Sequence, residues 1–302
     1  MIDKIINPSN ANLSITESLK KILKDFKVPL NQIKDKLNIG YNINDIDVYL
    51  ISYPNSGRTW FRLLIGKALC EIYGLDENLI LDTKLLSESA GILKTTFTHD
   101  CSLVDNDLYR YYSSKEIFFN KSRYSGKNII LLIRDPRDVL VSYFFQQTKR
   151  DNNYQGNISE FIRSDKFGIV KLLRFNSLVF DNQKYFNKFL ILSYEQAYTN
   201  TVDSLRQTLE FMNVQDLNSK ILESAVNFSE FQNMKKLEKS SYFSGYKGSQ
   251  QMMPRKVEDN DSFKTRKGKI GGYVDYLNSG DIEYINTKVS EANLSMYKNL
   301  NF

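Results

Sequence analysis

The sequence predicts a single α/β domain with a central parallel β-sheet flanked by helices. Three observations carry this expectation. Short apolar, β-branched runs recur at Val48–Ser52, Asn128–Ile133 and Phe189–Tyr194, each of a length suited to a buried strand. Each run gives way to a segment whose apolar residues return at helical spacing, and strands alternating with helices indicate a parallel sheet covered on both faces. At 302 residues the chain is long enough for one large domain of this class.

Taken in order, residues 1–45 read as an N-terminal helical appendage, with Ser14 or Thr16 as cap and Pro29 as an interruption. The main domain is expected over 46–302. Val48–Ser52 follows an Asn/Gly-rich turn, and Phe61, Leu64, Ile65, Ala68, Leu69 and Ile72 then keep helical spacing. In the second unit Asn128–Ile133 is the strand. Asp135 caps a helix with Pro136 at its first position, and Asp138 sits three residues past the cap to complement the exposed amides. The third unit pairs Phe189–Tyr194 with a helix starting near Thr201. Less regular stretches near 75–127, 150–180 and 236–280 collect much of the Gly, Ser, Asn and Tyr; such loops build ligand sites at the carboxyl ends of parallel strands.

Composition narrows the partners. Hydrophobic residues at 41% and charged residues at 25% are ordinary for a globular protein and exclude a disordered chain. Lys and Arg exceed Asp and Glu by 41 − 35 = +6, so the field favours anions. No recognised nucleic-acid motif accompanies that charge. Cys70 and Cys101 form neither a disulfide framework nor a CxxC metal pair, which fits a reducing cytoplasm. No stretch reaches the roughly 20 apolar residues of a membrane span, and the N-terminus lacks a signal-peptide pattern. A cytoplasmic protein without a transmembrane segment is expected.

The segment "PNSGRTW" stands between the first strand and its helix, where backbone amides meet the positive end of the helix dipole. Gly57 lets the backbone curl close to an anion. Ser56 and Thr59 add hydroxyl donors, and Arg58 adds a charged fork. A tight turn capped by Ser56 is the plainer reading of the same residues. The spacing departs from GxxxxGK[ST], since no Lys follows Gly57, and this counts against a nucleotide kinase or NTPase.

Three motifs carry a resemblance. "YPNSGRTW" resembles the 5′-phosphosulfate loop YPKSGTTW of the cytosolic-type sulfotransferase family; "RDPRDVLVSYF" resembles its 3′-phosphate segment RNPKDVAVSYY; "RKGKIGGYVDYL" resembles its RKGxxGDWKNxF segment. They follow in the family's order over about residues 46–280. The resemblance implies a P-loop-like nucleotide-binding sulfotransferase architecture and the donor 3′-phosphoadenosine 5′-phosphosulfate (PAPS), used without a metal ion and leaving the desulfated product PAP. It implies that Ser56, Gly57, Arg58 and Thr59 hold the phosphosulfate, and that Trp60 and Tyr194 meet the adenine. Arg134 and Ser142, eight residues apart as in the family, hold the 3′-phosphate together with Arg266, Lys267 and Gly268.

His99, the one histidine in the chain, falls where the family places its catalytic base within KTHxP. A base with an ordinary pKa near 6.5 suits removal of a proton from an attacking hydroxyl. Asp100 is either its orienting partner or a turn residue. Two family lysines are replaced, one by Asn55 and one by Phe97, and Gly272 and Tyr273 stand where the family has Asp-Trp. Asn55 can donate a hydrogen bond at the leaving-group oxygen but brings no charge, and Arg58 is the leading candidate for the missing cation. The expected activity is in-line sulfonate transfer to an acceptor hydroxyl, with His99, Asn55 and Arg58 as catalytic residues. The alternatives are a P-loop-like nucleotide kinase or NTPase, and a PAPS- or PAP-binding protein with weak or no transfer because Asn55 replaces the family lysine. The acceptor is a glycan, a glycolipid or a small alcohol, and peripheral membrane contact follows if it is a lipid. Tyr242, Phe243, Tyr246 and Met252–Met253 are candidates for a lid over it.

Overall fold

The computed structural model describes residues 45–99, 114–115, 117, 119–246, 252 and 263–298. The expected appendage lies outside these residues except for Asp45. Among the described residues, β1 (Val48–Ser52), β2 (Thr95–Thr98), β3 (Asn128–Ile133) and β4 (Lys188–Ser193) form one parallel sheet in the order β2-β1-β3-β4. The helices are α1 (Arg58–Tyr73), α2 (Thr83–Ser89), α3 (Lys121–Tyr124), α4 (Pro136–Phe145), α5 (Ile158–Arg163), α6 (Ile169–Asp181), α7 (Tyr194–Thr199), α8 (Thr201–Phe211), α9 (Ser219–Phe228), α10 (Phe231–Lys239) and α11 (Ser279–Ala292).

Alternation along the strands builds two cores. Tyr49, Ile51, Ile129, Leu131 and Ile133 face one side of the sheet and pack with Val139 of α4, Phe175 of α6 and Ile285 of α11. Val48, Leu50, Ile130 and Leu132 face the other side, with Leu64 and Ala68 of α1, Leu209 of α8 and Ala225 of α9. All five β1 residues are buried, as a central strand covered on both faces requires. Fully burying each such aliphatic side chain contributes about 1.5–3 kcal/mol, so these two layers hold the sheet rigid behind the site.

Three sequence expectations change. Residues 95–98, inside a stretch expected to be irregular, form β2; "TTFT" is polar and short, but its β-branched threonines suit an edge strand and pair Phe97 with Leu50. The stretch 150–180 is mostly helical, through α5 and α6. Tyr194 belongs to α7 rather than to β4, because Ser193 caps that helix by accepting from the Gln196 amide.

Parallel pairing then fixes where the site lies. Ile51 is level with Thr98, Ser52 with Leu132, and Ile133 with Ser193. The residues that follow each strand, Tyr53 onward, His99, Arg134 and Tyr194, therefore emerge together at the carboxyl edge of the sheet.

Candidate active site

The loop from Tyr53 to Gly57 turns twice through the left-handed region, at Asn55 (φ 65°) and Gly57 (φ 100°). Asn is among the few residues that adopt this conformation readily. At Gly57 a side chain is also blocked by packing: a Cβ there would lie 2.4 Å from Cδ2 of Tyr194. Gly57 is the N-cap of α1, and no side chain caps that helix. Ser56 is therefore not a helix cap, contrary to the plainer sequence reading; it is buried, and its amide donates to the Tyr53 carbonyl at 3.4 Å. The first amides of a 16-residue helix are left without a side-chain acceptor.

Arg134 comes off β3 and meets this loop. Its Nη1 donates to the Asn55 carbonyl at 3.2 Å, its guanidinium lies 4.4 Å from the Tyr194 ring centre, and Asp138 faces it at 3.8 Å. Asp135 caps α4 as expected, and its carboxylate is taken up by Arg137 (2.7–3.2 Å), not by Arg134. Ser142, two turns into α4, donates to Oδ1 of Asn55 at 3.4 Å. Two donors here are buried without an acceptor: Nδ2 of Asn55 and Nε of Arg134. A buried donor left unmade costs about 1–3 kcal/mol, so both fit an anion seated between the loop and α4.

The third segment is held in place by buried carboxylates. Glu238, with no exposed surface, accepts from the amides of Lys264 (2.7 Å) and Thr265 (2.9 Å) and from the Thr265 hydroxyl (2.6 Å). Asp138 accepts from the amides of Gly271 (2.8 Å) and Tyr273 (2.9 Å), a different task from the one its position after the cap suggests. Burial raises the Asp138 carboxyl above the usual range, with Arg134 opposing. Between these anchors Arg266 lies 4.2 Å from the Phe145 ring centre and donates to the Tyr276 hydroxyl at 2.7 Å. Lys267 approaches Asp275 at 3.2 Å. Gly268 (φ 59°) lies against Phe231, where a Cβ would come within 2.1 Å of the ring.

His99 follows β2 and lines the same space. Its Nδ1 lies 2.6 Å from the Ser52 carbonyl, which can only accept, so Nδ1 carries the proton and Nε2 keeps the lone pair. Asp100 and Cys101 lie outside the described residues. Trp60 makes edge contacts with Phe61 (5.2 Å) and Tyr194 (5.3 Å), leaving an aromatic wall completed by Tyr198.

Together these segments enclose a cleft of about 860 Å³. It is lined by Asn55, Gly57, Arg58, Thr59, Trp60, His99, Arg134, Ser142, Tyr194, Arg266, Lys267 and Gly268. Of the residues expected from the sequence to bind the donor or to act in catalysis, Ser56 alone does not line it. Sequence reading missed Tyr198, Phe231, Lys264 and Thr265, which also line the cleft, and the anchoring part of Glu238. No motif spacing marks them, since they reach the cleft only through the folding of α7 and α10. Tyr242, Phe243, Tyr246 and Met252 are not among its lining residues; Phe243 and Met252 are buried in the core on the α1 side, and Met253 lies outside the described residues.

The sequence matches the sulfotransferase domain family over residues 45–296. Sulfotransferase 2A1 of Rattus norvegicus is 22% identical over 259 residues, covering 80% of this chain and 82% of that protein. Flavonol 3-sulfotransferase of Flaveria bidentis is 25% identical over 270 residues, covering 81% of each. Among solved structures, retinol dehydratase in complex with androsterone and the inactive cofactor PAP aligns with a TM-score of 0.55 at 16% identity, over 89% of this chain and 84% of that one. That likeness is one of fold.

Proposed function

Because the chain belongs to the sulfotransferase domain family, we propose that it moves a sulfonate group from PAPS to an acceptor hydroxyl by in-line displacement. The observation that carries this reading is the meeting of Arg134 and Ser142 with the glycine loop at Asn55, which supports one nucleotide with an anionic group at each end bridging the two segments. PAPS, when bound, supplies an activated sulfonate. The uncapped amides of α1, with Thr59 and Arg58, hold the phosphosulfate, and Asn55 Nδ2 donates to the leaving-group oxygen. Arg134, Ser142, Arg266, Lys267 and the Gly268 turn take the 3′-phosphate, where a guanidinium fork suits a dianion. Trp60 and Tyr194 form the adenine wall.

His99 acts as general base. The Ser52 carbonyl fixes the tautomer, so Nε2 accepts the acceptor's proton as its oxygen attacks. Alignment and fixed dipoles then account for most of the acceleration, as in phosphoryl transfer. The acceptor is a hydroxyl-bearing glycan, glycolipid or small alcohol; nucleic acid has no part in the reading, and the setting is the reducing cytoplasm. No described helix is long and apolar enough to cross a membrane.

The test is labelled PAPS with an acceptor panel, comparing wild type with His99→Ala. Transfer is expected to fall by about 10²–10⁴-fold while PAP still binds. Undiminished transfer by the variant removes His99 from the role, and failure of wild type to bind PAP removes the donor.

A further inference from the structure

Arg62 stands one turn beyond Arg58 on α1, so the two side chains share a helix face. It is only 7% exposed, and among the described residues it makes no hydrogen bond and no ion pair. What it touches is the face of Phe97, with the guanidinium carbon 4.9 Å from the ring centre. The carboxylate that acts on it, Asp82, does so from beyond ion-pair distance and spends Oδ1 on the Leu85 amide that it caps. Burial, reinforced by repulsion from Arg58, brings the guanidinium down to about 9.

Phe97 lies in β2, and His99 follows it by two positions, directly after the strand ends at Thr98. Arg58 and His99 line the cleft, whereas Arg62 and Phe97 lie just behind them and do not; resting on the reading above, we propose that Arg62 forms an oxyanion subsite there, opening toward His99, with Phe97 as its floor. A planar, weakly hydrated fork held over an aromatic face and lacking an acceptor is the chemistry that takes a carboxylate, phosphate or sulfonate. Two sources bring such a group: the sulfonate of the donor, or an acidic substituent on the acceptor. In either case Arg62 adds a second positive charge on α1, one turn behind that of Arg58.

Calorimetric titration of the full chain separates these sources, using wild type, Arg62→Met and Arg62→Lys. PAP should bind all three with similar affinity; failure to bind wild type would count against the donor assignment, not against the subsite. In the donor arm, the affinity of PAPS relative to PAP should fall at least tenfold in Arg62→Met. In the acceptor arm, run with and without PAP, wild type should prefer 4-hydroxyphenylacetate over the neutral tyrosol at least tenfold, and Arg62→Met should lose the preference. Loss in the first arm identifies the donor sulfonate, and loss in the second an acidic acceptor. Arg62→Lys keeps the charge without the fork and should retain part of either preference, which keeps the test readable if Arg62→Met does not fold. Equal PAPS-to-PAP ratios together with no carboxylate preference, including no binding of either aryl probe, overturns the proposal. Arg62→Met should also melt no lower than wild type in anion-free buffer, because it removes an unpaired buried cation.

Discussion

Gly57 carries two constraints at once. Its φ of 100° disfavours any side chain, and the Tyr194 ring occupies the place a Cβ would take. Gly57→Ala should therefore lower unfolding free energy by about 1–3 kcal/mol in urea denaturation and weaken PAP binding by displacing the loop. Adding Tyr194→Ala removes the clash but not the backbone strain, so the double variant should recover part of the stability. Full recovery would mean that the ring alone mattered, and no recovery would mean that strain alone did. Residues of this kind were legible in the sequence because a glycine between a strand and a helix has few other reasons to be there. Asn55 was legible as a substitution but not as the joint between segments, since its carbonyl and its amide meet Arg134 and Ser142 only through the fold. Arg62 gave no signal: an arginine at helical spacing reads as solvated surface until its burial is seen.

At the scale of elements, the segment bearing Arg266, Lys267 and Gly268 has no regular secondary structure of its own from Phe263 to Gly271 and is tied down by its neighbours. Glu238 of α10 holds its start and Asp138 of α4 its end. Glu238→Gln replaces one acceptor oxygen with a donor facing an amide, so PAP affinity should fall several-fold while His99 chemistry at saturating donor is spared. A drop in kcat with unchanged PAP affinity would contradict this. Asp138 adds a pH dependence of known sign. Burial raises its folded carboxyl above the unfolded value of 3.8, so the native state holds this proton more tightly than the unfolded chain does. Its contribution is complete below the unfolded value and is lost as pH rises through the folded one. The unfolding free energy of wild type relative to Asp138→Asn should therefore grow as pH is lowered from 7 toward 4; a difference that does not vary with pH counts against the assignment. These anchors were hidden from sequence reading, as was β2. A four-residue threonine-rich edge strand has too little periodicity to announce itself, whereas β1 and β3 were visible as unbroken apolar runs.

At the scale of the molecule, the cleft draws on residues 55–60, 134–142 and 264–272, which meet only because all four strands run parallel and end at one edge. A nucleotide gripping all three cannot be held by a locally unfolded chain, so its binding energy should appear in global stability. At a hundred times its dissociation constant PAP should add about 2.7 kcal/mol to unfolding, seen as a single cooperative shift of the melting temperature, undiminished by EDTA. The anion-binding groups are fixed arginines, lysines and helix amides, so the shift should shrink as ionic strength rises and screening weakens each partly exposed contact. Arg134→Ala should remove most of it, because that guanidinium both touches the loop and faces the space beside α4. A shift produced by Mg·ATP and not by PAP would assign the cleft to a nucleotide triphosphate instead, and the parallel sheet would then be serving a different anion at the same edge.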